Sequence, residues 1–157
     1  MSSKIYDFID SCIFLGMVFN EGNQFKDYLD PVGYKSHNKG LISQFVLGEI
    51  YCNIFTKIKK PDPKENMDLK EQALKFINKI LQKMISENRI IIVNHKSKHM
   101  DEKLFEEIKD KGRLTDDDTF HILVAIKENC SFFITTDKVI SDEKDNGFRE
   151  YLLKEQR

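Results

Sequence analysis

Lys4-Ile5-Tyr6-Asp7-Phe8-Ile9-Asp10 is a short, largely apolar run that stops on a carboxylate. Ser131-Phe132-Phe133-Ile134-Thr135-Thr136-Asp137 is a second run with the same ending. Both read as strands buried on two faces, because they lack the polar alternation of a half-exposed sheet. Ile90-Ile91-Ile92-Val93, β-branched throughout, reads as a third. Helical segments separate these runs. That alternation predicts an α/β fold with a mostly parallel central sheet covered by helices. In such sheets ligands bind beyond the carboxyl ends of the strands, where strand order reverses. Asp10 and Asp137 stand at two such ends.

The intervening pattern predicts a helix beginning at Ser11 and reaching Phe19, then a polar, turn-rich stretch over 20–39. A helix over 41–59 is expected to stop at Lys60-Pro61-Asp62-Pro63. A second, over 68–87, carries Leu69, Ala73, Ile77, Ile80, Leu81, Met84 and Ile85 at helical spacing. Shorter helices are expected over 101–109, 116–128 and 148–154.

A chain of 157 residues suits one domain, 1–157, with room for a sizeable core. Hydrophobic residues at 40% and charged residues at 32% fit a globular, soluble protein. The net charge of -1 does not mark a strongly basic nucleic-acid binder. It implies modest, salt-sensitive affinity instead. Cys12, Cys52 and Cys130 are scattered and odd in number, which argues against a disulfide framework or a zinc knot and for a cytoplasmic setting. No apolar run approaches the ~20 residues that span a bilayer, and no secretion signal is evident. Phosphate loops, dinucleotide-binding glycines and a serine elbow are missing too.

Four carboxylates attract attention: Asp10, Glu49, Asp118 and Asp137. A buried carboxylate is costly unless paired, protonated or metal-bound. Several together repel one another, and a dication relieves that conflict. Asp10 also suits a helix N-cap. Glu49 shares its helix face with Ile42, Phe45, Val46 and Cys52, an unusual place for a lone charge. Asp118 lies three residues after Thr115, as in a capping box, with Asp116 and Asp117 as rivals for its role. His121, one turn after Asp118, reads more readily as a core histidine than as a metal ligand or base. The loop Asn94-His95-Lys96-Ser97-Lys98-His99 reads as solvated and basic, with Lys96 and Lys98 placed to touch phosphates if it opens onto the same crevice.

These four segments, in order, resemble the motifs of the PIN-domain family of metal-dependent nucleases. Phe8-Ile9-Asp10-Ser11-Cys12-Ile13-Phe14-Leu15 matches the first motif. Val46-Leu47-Gly48-Glu49-Ile50-Tyr51 matches the second. Asp118-Thr119-Phe120-His121-Ile122-Leu123-Val124-Ala125 matches the third, in which a histidine often follows the aspartate by three. Phe133-Ile134-Thr135-Thr136-Asp137-Lys138 matches the fourth. The stretch between Glu49 and Asp118 is longer than in the smallest members, such as the VapC toxins. The resemblance implies a three-layer α/β/α sandwich that binds Mg²⁺ or Mn²⁺ and cuts single-stranded RNA. It implies Asp10, Glu49, Asp118 and Asp137 as the metal and catalytic set, with Ser11, Thr135 and Thr136 as supporting donors. A homodimer and, for a toxin, an antitoxin protein are the partners it implies. A catalytically inactive PIN-like module that binds RNA or protein is the alternative. A metal phosphohydrolase acting on small phosphate esters is the third expectation.

Overall fold

The computed structural model describes residues 6–20 and 39–136. Four strands, β1 (Tyr6–Ile9), β2 (Lys39–Ser43), β3 (Ile90–Val93) and β4 (Phe132–Ile134), form one sheet in the order β3-β2-β1-β4. Every pairing among the described residues is parallel. The register sets Phe8 beside Leu41 on one side and Phe133 on the other. The chain adds β2 and β3 outward from β1, then crosses to place β4 on the opposite flank. Strand order therefore reverses at β1, between β2 and β4.

Helices α1 (Ser11–Val18), α2 (Gln44–Lys57) and α3 (Pro63–Ser86) pack together, and α4 (Glu102–Gly112) packs on α5 (Asp116–Lys127). The result is the expected α/β/α layering. The larger core joins Phe8, Ile9, Phe14, Leu41, Ile50 and Ile77. A smaller one joins Ile108 and Leu114 to Ile122, Leu123 and Ile126 of α5. With a buried stripe on both sides, α5 is the central apolar helix its composition announces.

Local chemistry explains most boundaries. Asp10 caps α1, its carboxylate accepting from the Ser11 amide at 2.7 Å. Ser43 caps α2 by accepting from the Val46 amide at 3.2 Å. Asp62 caps α3, with Pro63 at the first helical position. Asn88 and Asn129 take left-handed φ values of 57° and 56° just past α3 and α5. There the amides of Arg89 and Cys130 reach back to the carbonyls of Met84 and Ala125 at 2.8 and 2.9 Å, closing Schellman turns.

Two expectations need correction. Residues 39–43 form a strand, where a helix was expected from Leu41. A run of only two large apolar residues, Leu41 and Ile42, passes into the helical pattern without a loop. The sheet claims the segment, because it pairs on both sides. Helix α3 starts at Pro63, five residues earlier than expected, since the Asp-Pro pair that reads as a stop also serves as a cap and first turn. The helix expected over 148–154 lies outside the described residues, as does nearly all of the polar stretch over 20–39.

Candidate metal centre

The carboxyl end of β1 delivers Asp10 to the point where strand order reverses. The Asp10 amide donates to the Ile134 carbonyl at 3.0 Å, so the β1–β4 ladder runs right up to the site. Asp10 is only 6% exposed. Its second oxygen accepts from the Thr135 hydroxyl at 2.8 Å. The Cys12 thiol lies 3.6 Å from the same oxygen, and the Thr136 amide donates to the Cys12 sulfur at 3.3 Å. Burial first, and then the Asp10 charge, push the Cys12 thiol above its usual range, so it stays a neutral thiol at pH 7.

Helix α2 brings Glu49 to this point from the other side. Its carboxylate accepts from the Ser11 hydroxyl at 2.8 Å. It also lies 2.8 Å from Nε2 of His121, which projects from α5. Both ring nitrogens of His121 are buried with no hydrogen-bond partner, so the pair is a charge contact. Burial pulls the imidazole toward its neutral form, yet Glu49, with Asp10 and Asp118 behind it, holds the His121 pKa above 6.5. Burial likewise pushes Glu49 up, and His121 and Ser11 outweigh it, leaving the carboxyl below its ordinary value.

Asp10, Glu49 and His121 each offer a ligand atom, and these atoms lie within 4.8 Å of one another. The residues fit a divalent cation on two counts. Two oxygens and an imidazole nitrogen converge, and His121 carries two buried nitrogens that no hydrogen bond satisfies. Asp118 sits in the first turn of α5, its amide donating to the Thr115 hydroxyl at 3.3 Å, and its charge is felt by His121. Asp137 lies outside the described residues. Ser11 and Thr135 each donate to one of the clustered carboxylates. Thr136 is exposed and meets Cys12 through its amide.

His121 is buried, as a core histidine would be, and it also sits inside the acidic cluster. Its spacing from Asp118 was the available signal. His95, in the loop after β3, lies 6.2 Å from Phe45 of α2 between ring centroids. Lys96 and Lys98 are exposed, but Lys98 already pairs with Glu128 at 2.9 Å. Among the described residues no helix is long and apolar enough to cross a membrane.

Among solved structures, the chain is similar to a chain of VapBC2 from Rickettsia felis bound to a DNA fragment from their promoter. Identity is 18%, the TM-score is 0.58, and the match covers 89% of this chain and 94% of that one. At that identity the likeness establishes a shared fold. No family model matches the sequence, and no curated protein matches it.

Proposed function

We propose that this chain is a metal-dependent endoribonuclease of the PIN type, a single-domain protein that hydrolyses phosphodiesters of single-stranded RNA. The observation that carries this reading is the convergence of Asp10, Glu49 and His121 at the carboxyl end of β1, where open α/β sheets bind ligands. The fold shared with VapBC2 supports it.

Asp10 and Glu49 would hold Mg²⁺ or Mn²⁺ with a His121 nitrogen among the converging ligand atoms, joined by Asp118 and Asp137. When bound, such an ion lowers the pKa of water and offsets charge on a phosphate. Ser11 fixes the Glu49 carboxylate and Thr135 fixes that of Asp10, so both acidic groups are oriented before any ligand arrives. Because Glu49 is held ionised, it can face a cation at neutral pH without first losing a proton. Lys96 at the exit of β3 supplies positive charge for the RNA backbone, and Lys98 would do so on leaving Glu128.

The VapC toxins of the PIN family suggest a toxin role with an antitoxin partner, or else a role in RNA processing or turnover. A homodimer and a cytoplasmic location belong to the same reading. The test is cleavage of single-stranded RNA with Mn²⁺ or Mg²⁺ and with chelator, for wild type and Asp10→Asn. The ion is worth several kcal/mol to the transition state, so the variant should lose about 100-fold or more in rate. Equal activity in every sample would reject the reading.

A second reading is an inactive PIN-like module that binds RNA or protein. The His121–Glu49 contact favours it, since an imidazolium already offsets the acidic charge. Metal titration separates the two: the inactive module gains no thermal stability from Mn²⁺.

A further inference from the structure

We propose that Phe45, Phe120 and His95 form a stacking shelf for one unpaired nucleobase of the RNA whose phosphate lies at the Asp10–Glu49–His121 cluster. The proposal rests on the nuclease reading and adds a base subsite to it. A row of rings leads outward from the acidic cluster. Phe45, one turn before Glu49 on α2, lies 5.3 Å from His121 between ring centroids. Phe120 lies 5.5 Å from Phe45 in an edge-on arrangement. His95, from the loop after β3, lies 4.9 Å from Phe120 and 6.2 Å from Phe45. Three separate elements thus contribute rings to one place.

These rings are not sealed in the core. Phe120 packs at the edge of both cores and is half-buried, Phe45 is half-buried and His95 is exposed, so the row of rings runs from the core edge out to solvent. The shelf is also preorganised. The His99 ring, 1% exposed, accepts from the Lys96 amide at 3.0 Å through Nδ1, and its Nε2 lies 2.8 Å from Glu128. Accepting at Nδ1 leaves the Nε2 proton to donate to Glu128. The loop that carries His95 is thereby tied to the end of α5. Little ordering entropy is left to lose when a ligand binds. Single-stranded RNA is held in just this way, by splayed bases on aromatic faces next to backbone contacts.

The test uses the full chain and a single-stranded adenine-rich RNA decamer, with 2-aminopurine placed at each position in turn. Ca²⁺ replaces Mg²⁺ as an oxygen-seeking dication. Wild type should quench the probe most strongly at one position. His95→Ala should abolish that quenching and weaken binding roughly five- to tenfold, within the range of one lost base–aromatic stack. His95→Phe should keep both, and Phe45→Leu should weaken binding a few-fold. An abasic sugar at the quenched position should erase the difference between wild type and His95→Ala. The salt dependence of affinity should stay the same in His95→Ala, because no charge contact to phosphate is lost. Wild-type affinity and quenching in His95→Ala overturn the shelf while leaving the nuclease reading intact. Failure of the wild type to bind the RNA overturns both.

Discussion

Ringed by Phe8, Phe45 and Glu49, His121 changes how the acidic groups coexist. Four carboxylates with a dication between them was the arrangement expected from sequence. The folded chain interposes an imidazole, which lies 2.8 Å from Glu49 and leaves both its nitrogens without a hydrogen bond. Ser11 matters for the same reason. Its hydroxyl is a fixed donor to Glu49, reaching across 38 positions of sequence. Ser11→Ala should weaken Mn²⁺ binding by about 10- to 100-fold, the usual cost of losing a partner that orients a ligand. Isothermal titration calorimetry would show it, with circular dichroism unchanged. Asp10 and Glu49 were legible because each carboxylate interrupts an apolar pattern. His121 was not, because a histidine in an apolar helix looks the same whether it faces a core or a charge. Only the tertiary approach of α2 to α5 tells these apart.

At the scale of elements, β2 is the lesson. Strands β1, β3 and β4 announce themselves as apolar runs closed by polar residues. Lys39-Gly40-Leu41-Ile42-Ser43 does not, because it flows into α2 with Ser43 serving both as the last strand residue and as the cap. Its Gly40 has a packing reason. A Cβ there would lie 2.6 Å from Cδ1 of Ile9 and 2.9 Å from Cγ2 of Ile90, both buried. Gly40→Ala should therefore cost about 1–3 kcal/mol through overpacking, read as a lower denaturant midpoint. Ser43→Ala should cost about 1 kcal/mol by uncapping α2. The tie between the β3 exit loop and α5 gives a pH prediction. Burial raises the Glu128 pKa, but Lys98 and His99 outweigh it and hold it below 4.5. A depressed carboxylate stabilises the fold fully above its unfolded value and stops doing so as pH falls through its folded one. Wild type should lose thermal stability relative to Glu128→Gln as pH drops below about 4.5, read as converging melting temperatures.

For the whole molecule, the nuclease reading makes metal a stabilising ligand. Saturating Mn²⁺ at about 100 times its Kd should add about 2.7 kcal/mol, seen as a rise in melting temperature that chelator reverses and Asp10→Asn abolishes. The α/β class and the parallel sheet were readable because strands and helices alternate. The rule about strand ends points to the carboxyl end of β1, and the Asp10–Glu49–His121 cluster lies there. The long link between Glu49 and Asp118 proved to hold α3, 24 residues long, together with β3 and α4. The hydrogen bond between Asp10 and Thr135 spans 125 positions. On a ribosome adding about 5–20 residues per second, Asp10 waits roughly 6–25 s for that partner to be synthesised. A growing polypeptide thus carries the Asp10 carboxylate long before β4 can lock it in place, which delays assembly of the Asp10–Glu49–His121 cluster until residues 132–135 have been translated.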